Sequence, residues 1–141
     1  MKKILFIFLL ILMISCAKNL SQVYIDNGEK VIKINVEIAD DSNERAEGLM
    51  HREKLGENNG MLFVFGNEDF QTFWMKNTLM PLDMIFIDKN FEIVEIRHAV
   101  PCKEMPCTLY SASKPVKFVL EVNGNFTLKN NIKTGDKIIL G

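Results

Sequence analysis

Several side chains that could bind a small ligand lie close together in one short stretch of the sequence. Trp74 is the only tryptophan of the chain, and a cation, an amide and a hydroxyl follow it at Lys76, Asn77 and Thr78. An indole with polar neighbours at the end of a strand is typical of the floor and rim of a binding pocket. The alternative interpretation is an aromatic core strand followed by an ordinary turn.

Two arginines and a tyrosine elsewhere in the sequence could complete this pocket. Arg45 and Arg52 lie on and just beyond a predicted helix, and a guanidinium binds a carboxylate or a phosphate through a fork of N–H groups. Alternatively, each arginine pairs with a structural carboxylate such as Asp83. We expect a small anionic or sugar-like ligand. The candidate ligand-binding residues are Arg45, Arg52, Trp74, Lys76, Asn77, Asp83 and Tyr110.

A loop with two cysteines is the second place where chemistry could occur. Outside the cytoplasm, Cys102 and Cys107 most simply form a disulfide. Thiol–disulfide exchange is one alternative, since a nearby cation such as Lys103 favours a thiolate. Another is Cys102 as a nucleophile with His98 as its base, although a strand would separate them by about 13 Å. The sequence offers no second pair of ligands for zinc at this spacing, so we predict no metal and no cofactor.

The N-terminus has the three-part layout of a secretory signal. Lys2 and Lys3 precede the apolar residues 4–14, which are too few to span a bilayer, and Ser15 and Cys16 follow. The segment ending at Cys16 resembles a bacterial lipobox, which implies cleavage before Cys16 and attachment of lipid to it. We therefore expect a lipid-anchored protein of the bacterial cell envelope, on the periplasmic side. The lack of an acidic residue after the cysteine favours the outer membrane over the inner.

Length and charge limit the remaining possibilities. The chain has 141 residues, nearly half of them apolar, which is enough for one core. Its 17 basic and 18 acidic residues argue against a nucleic-acid partner, which would require a basic stripe. We predict a signal peptide at 1–15, a lipidated cysteine and tether with a possible edge strand at 16–30, and a β domain at 31–141.

The hydrophobic pattern predicts mostly strands. Apolar residues alternate with polar ones at 32–38 and largely do so at 116–122, as expected for half-buried strands. Residues 85–99 have the pattern of a hairpin, and Asp41 with Glu44 forms a capping-box signature that opens a short helix. We expect a mainly β, single-domain sandwich or barrel of about six to eight short strands with one short helix.

Several motifs together resemble the domain of unknown function 192 family. The most specific segment is Phe73–Thr78 followed by Pro81–Asp83, and the resemblance extends over residues 31–140. It implies a compact, mainly β domain of sandwich or barrel type and no agreed activity. The other matching residues are Arg45, Gly48–Met50, Arg52, Gly60–Phe63, Pro101, Cys102, Cys107, Tyr110, Pro115, Leu120, Glu121, Gly135 and Asp136.

Three classes of function are compatible with these residues. The leading hypothesis is a binding module that holds its ligand against Trp74. The second is an enzyme, either a thiol–disulfide exchanger or a hydrolase that uses polar residues of the same rim. The third is an accessory protein that docks on an envelope protein through an exposed sheet edge.

Overall fold

The computed structural model describes residues 21–141, and within that range the protein is mainly β, as the sequence predicts. The predicted signal peptide and the lipidation site at Cys16 lie outside the described residues. The elements are β1 (Ser21–Asp26), β2 (Val31–Ala39), α1 (Ser42–Glu47), β3 (Asn59–Asp69), β4 (Thr72–Trp74), β5 (Leu82–Ile87), β6 (Ile93–Ala99), β7 (Leu109–Ser111), β8 (Val116–Asn123), α2 (Phe126–Lys129) and β9 (Lys137–Leu140). Neither helix of this range has the length and apolar character needed to cross a membrane.

Seven of the strands form one curled, half-barrel sheet in the order β6-β5-β8-β3-β2-β1-β9. All neighbours in it are antiparallel except β2 and β3. A parallel pair needs a crossover connection, and α1 lies within the one that joins β2 to β3. The short strands β4 and β7 pair with each other in a second, two-stranded sheet.

The position of β1 differs from the edge strand expected in the tether. It lies inside the sheet, because β9 pairs with it on the side opposite β2, with Val23 opposite Leu140. Val23 and Ile25 are both buried. The structure also has a second short helix, α2, whereas one short helix was expected from the sequence, and α2 begins after Asn125 in the left-handed conformation at φ 68°.

Each face of the large sheet carries its own apolar core. The first face is covered by α2 and the chain after it, through Phe126 and Ile132. The second face is covered by the small sheet and by Leu49, which follows α1. The strand β8 contributes to both cores, because Leu120 and Val122 belong to the first and Val119 to the second. The alternation of side chains along a strand therefore places Glu121 on the second face.

Candidate functional site

The helix α1 ends directly against the second face of the sheet. The carboxylate of Asp41 caps its first turn by accepting the backbone N–H groups of Asn43 and Glu44, each at 2.8 Å. Gly48 ends the helix at φ +52°, and a Cβ there would lie 3.2 Å from Cζ of Phe63. The glycine therefore lets the end of α1 approach the sheet more closely than another residue would allow.

The strand β4 lies on the same face and alternates between more buried and exposed side chains. Phe73 points inward, and its ring makes edge contacts with Phe63 at 5.0 Å and with Phe86 at 6.2 Å between centroids. Thr72 and Trp74 point the other way, and the tryptophan is 41% exposed. Trp74 is therefore available to a ligand while Phe73 fixes the strand to the core.

A backbone hydrogen bond connects the segment after α1 to the turn after β4. The N–H of His51 donates to the carbonyl of Asn77 at 2.8 Å. Both residues have positive φ, 64° for His51 and 56° for Asn77, as is common in turns, so each of the two segments turns at this contact. The bond holds the two segments at a fixed separation, and a groove runs between them and over the sheet.

We call this depression the α1–β4 groove. Its outer part has a volume of about 290 Å³ and its inner cleft about 40 Å³. The two parts share Arg45, Ala46, Phe63, Phe73 and Trp74, so they are continuous. The outer part is lined in addition by Phe65, Gln71 and Thr72, and the inner cleft by Glu47, Gly48, Leu49, Met50, Thr78 and Glu121.

Glu121 lies at the floor of the inner cleft. Its neighbours across the sheet are Met61 on β3 and Met84 on β5, and only 4% of the residue is exposed. Within residues 21–141 the carboxyl makes no hydrogen bond and no ion pair, and burial alone raises its pKa to about 8. A carboxyl in such surroundings is protonated at neutral pH, and perturbed acids in clefts are frequent at functional sites.

Arg45 brings a positive charge to the mouth of the groove. Its guanidinium donates to the carbonyl of Val64 at 3.0 Å and to the carbonyl of Asp40, and it lies 5.4 Å from the ring centroid of Phe65. No carboxylate of the described residues forms an ion pair with it. Backbone carbonyls orient the guanidinium but carry no net charge, so its charge is available to an anion.

Lys76 stands against the exposed indole. Its ammonium lies 5.2 Å from the centroid of the Trp74 ring, within the range of a cation–π interaction. It forms no ion pair within the described part of the chain. Arg45 thus lines the groove itself, and Lys76 stands beside Trp74, which is shared by both parts of the groove.

The family model of domain of unknown function 192 (DUF192), described as an uncharacterised ACR, matches residues 13–140, which is nearly the whole chain. The chain belongs to the DUF192 family. No curated protein matches it. The family match confirms the resemblance seen in the motifs.

Two solved structures share the DUF192 chain's fold. A proposed transcription regulator of Sinorhizobium meliloti 1021 is 33% identical, with a TM-score of 0.82, over 87% of this chain and 95% of that one. A protein of unknown function from Novosphingobium aromaticivorans DSM 12444 is 37% identical, with a TM-score of 0.80, over 85% of this chain and 84% of that one. Both likenesses support the mainly β fold.

The other residues predicted to bind the ligand do not line the groove of this DUF192 protein. Arg52 forms a two-pronged ion pair with Glu37, and this hydrogen-bonded carboxylate raises the pKa of the arginine. The pair is of the structural kind that the sequence left open, although the partner is Glu37 and not Asp83. Asn77 contributes its backbone carbonyl to the bond with His51.

Asp83 lies on the first face of the sheet, away from the groove. Its carboxylate accepts four hydrogen bonds, from His98 Nδ1 at 2.8 Å, Asn125 N at 3.1 Å, and the N–H and hydroxyl of Thr127 at 2.9 and 2.7 Å. Asp83 therefore fixes the start of α2 and the neighbouring strand β6. It takes part in this network instead of pairing with an arginine.

The cysteine loop forms the predicted disulfide, Cys102–Cys107, which confirms that expectation. Cys102 consequently has no free thiol with which to act as a nucleophile, and His98 is hydrogen-bonded to Asp83. Tyr110 belongs to this region, because its hydroxyl accepts the N–H of Val100 at 3.2 Å and it borders the loop's own small cavity of about 120 Å³. It does not roof the groove beside Trp74.

A larger cavity, about 610 Å³, lies near α2 and offers weaker chemistry than the groove. Two of its amides are already engaged: Asn123 donates to the carbonyls of Leu55 and Gly56, and Asn130 donates to the carbonyl of Phe126. Side-chain amides that donate to backbone carbonyls stabilise the fold and have fewer donors left for a ligand. The groove, by contrast, contains a buried acid with no partner in residues 21–141.

Glu121 was not expected to be a site residue from the sequence, where it stood out only as part of the family motif. The available signal was local: an acid interrupts a strand, β8, whose surrounding residues are apolar on both faces. Such a strand is buried on both sides, so a carboxyl within it is either paired or part of a site.

Proposed function

We propose that this DUF192 protein is a small-ligand binding module of the bacterial cell envelope, anchored by lipid on Cys16, whose α1–β4 groove takes an anionic ligand. The observation that carries the proposal is the guanidinium of Arg45, without a carboxylate partner in the described chain, at the mouth of a groove of about 290 Å³. A guanidinium so placed binds a carboxylate or a phosphate through parallel N–H groups.

Trp74 and its aromatic neighbours supply the apolar part of the binding surface. The indole is half-exposed on one wall, and Phe63, Phe65 and Phe73 line the remainder of the outer groove. Small-ligand sites commonly combine mostly apolar walls with a few polar groups that fix orientation. Lys76 against Trp74 adds a second positive charge for an approaching anion.

Binding can be measured through the fluorescence of the single tryptophan. We would titrate the full chain in detergent with acetate, phenylpropionate, inorganic phosphate and glucose. We expect a saturable change in emission with at least one anion. Arg45→Gln should weaken that binding at least tenfold, and Arg45→Lys, which keeps the charge but not the fork, less so.

Arg97→Gln is the matched control. Arg97 is also a surface arginine, but it pairs with Glu95 on β6 and does not line the groove. Its loss changes the net charge equally and should leave the affinity unchanged. Emission that stays flat for all four probes, or a response that survives Arg45→Gln undiminished, would disprove the proposal.

The anchor has a separate test. Cys16→Ser removes the only proposed attachment point, because the other two cysteines are bonded to each other. We expect the unaltered protein to sediment with membranes and to carry acyl chains by mass spectrometry of its N-terminal peptide. The variant should appear in the soluble fraction; an unaltered protein that carries no acyl group would exclude the anchor.

The description of the Sinorhizobium meliloti relative gives no support for nucleic-acid binding here. A DNA-binding surface requires a basic patch or stripe, and this chain has a net charge of −1. The positive charges near the groove, Arg45 and Lys76, instead accompany aromatic rings.

A further inference from the structure

The inner end of the α1–β4 groove contains a carboxyl for which the fold gives no structural reason. Glu121 is buried to more than nine-tenths and lines the inner cleft, and none of the described residues donates a hydrogen bond to it. A carboxyl that reaches water only through a narrow cleft loses most of its hydration, and an apolar residue would fill the same place more favourably. A group with such a cost is best explained by a partner that arrives with the ligand.

The charges around the inner cleft indicate the sign of that partner. From α1, Arg45 and Glu47 face the cleft, while β3 and β5 contribute the uncharged Met61 and Met84 beside Glu121. Arg45 is held toward the outer part by its bonds to backbone carbonyls and by the ring of Phe65. The inner cleft thus has two carboxyl groups, of which Glu121 is neutral in the free protein at pH 7, and the guanidinium of Arg45 is oriented toward the outer part of the groove.

The size of the inner cleft limits what can reach Glu121. Its volume of about 40 Å³ is only a few times the roughly 10–15 Å³ that a cavity needs to hold one water molecule. An –NH₃⁺ group fits such a space, whereas a quaternary ammonium or a sugar ring does not. The outer part, about 290 Å³, has room for the remainder of a small molecule.

We propose that the ligand is a zwitterion whose primary ammonium enters the inner cleft and ion-pairs with Glu121, while its anionic group meets Arg45 at the outer end. The proposal rests on the proposed function, since it assigns the second charged group of a ligand already held by the groove. α-Amino acids and molecules that present the same pair of groups are the chemical class that fits.

Binding of this kind releases a proton. In the free protein burial raises the pKa of Glu121 to about 8, so the carboxyl is protonated at pH 7. An ammonium pairs with the ionised form, so the proton of Glu121 passes to the solvent when the ligand binds. The affinity should therefore increase about tenfold with each unit of rising pH until the pH reaches the pKa of Glu121, and then level off.

The experiment compares three probes of one skeleton in the full chain: L-phenylalanine, phenylpropionate, which lacks the ammonium, and phenethylamine, which lacks the carboxylate. Tryptophan fluorescence measures the affinity, and calorimetry in two buffers of different ionisation enthalpy measures the proton release. We expect L-phenylalanine to bind at least tenfold more tightly than either other probe, with about one proton released at pH 7.

Glu121→Gln is the decisive variant, because it keeps the shape of the neutral carboxyl but cannot ionise. It should lower the affinity for L-phenylalanine at least tenfold, remove its pH dependence and leave phenylpropionate unaffected. Equal affinities of L-phenylalanine and phenylpropionate, without proton release and with no effect of Glu121→Gln, would overturn the inference and leave the anion site intact. No response to any of these three probes, nor to acetate, inorganic phosphate or glucose, would overturn the proposed function itself.

Discussion

Two buried acids on neighbouring strands, Asp83 and Glu121, have opposite surroundings. Asp83 lies opposite Val122 in the register of β5 and β8, and the adjacent pair is Met84 with Glu121. Because side chains alternate along a strand, the two carboxyls project from opposite faces of the sheet. Asp83 accepts four hydrogen bonds, whereas Glu121 accepts none from the described chain.

This difference separates a structural acid from a candidate functional one. The network of Asp83 connects β5 to β6 and to the first turn of α2, so its cost of burial is offset within the fold. Glu121 contributes no comparable connection, and its burial opposes folding whenever the carboxyl is ionised. Substitutions at the two positions should therefore act in opposite directions.

The largest effect should be the pH dependence of stability that Glu121 confers. Its folded pKa of about 8 lies above the ordinary 4.5, so between these values the native state binds the proton and the unfolded state does not. The contribution of this carboxyl to stability is then full below pH 4.5 and is lost as pH rises toward 8. Urea unfolding should reveal a loss of about 4 kcal/mol between pH 5 and pH 8.

Glu121→Gln provides the control for this measurement. The amide does not titrate, so the decrease of the free energy of unfolding with pH that comes from this position should disappear. Above pH 8 the variant should be more stable than the unaltered protein. A variant with the same slope would mean that the carboxyl is already ionised and paired in the native state.

Substitution of Asp83 should give the next largest effect. It should lower the stability, whereas Glu121→Gln raises it above pH 8. Asp83→Asn keeps the volume but places an amide N–H₂ against donors of Thr127 or of His98. At least one buried donor then loses its acceptor, and we expect the free energy of unfolding to fall by about 3 kcal/mol. Urea denaturation at pH 7 measures it. If Asp83→Asn cost no more than Glu121→Gln, the distinction between the two acids would be lost.

The fold class was largely predictable from the sequence because it depends on local patterns. The alternation in residues 32–38 predicted β2, and Asp41 with Glu44 predicted α1, because apolar period and capping are properties of neighbouring residues. The strand β7 and the place of β1 beside β9 were not predictable in the same way. They depend on pairings between segments far apart in the sequence.

The site was less predictable than the fold for the same reason. Trp74 and Arg45 were identified by residue type, and the structure places both on one groove. The environment of Glu121 is formed by β3, β5, α1 and β4, which are distant in sequence, so no window of the chain contains it. Asp83 was a suitable partner for an arginine by residue type, but the fold places it beside His98 and α2.

Removal of the Cys102–Cys107 disulfide tests whether Asp83 and Glu121 affect stability independently of a distant part of the protein. Replacing both cysteines by serine releases a short loop, and we expect a loss of about 2 kcal/mol from the greater entropy of the unfolded chain. Combined with Asp83→Asn or with Glu121→Gln, the effects should add within about 0.5 kcal/mol, because neither carboxyl bonds to the loop. Urea unfolding of the single, double and triple variants measures this additivity.

The smallest expected effect concerns the rim of the groove. Lys76→Gln removes the ammonium from the face of Trp74 and should cost about 0.5 kcal/mol, since a cation–π contact at an exposed site is weak. The free protein's tryptophan emission should change, because the charge nearest the indole is lost. Lys89→Gln, at a surface lysine that pairs with Glu68, is the control and should leave the emission unchanged. A loss of stability from Lys76→Gln as large as that from Asp83→Asn would mean that the rim, too, is structural, and the contrast between the two faces of the sheet would no longer hold.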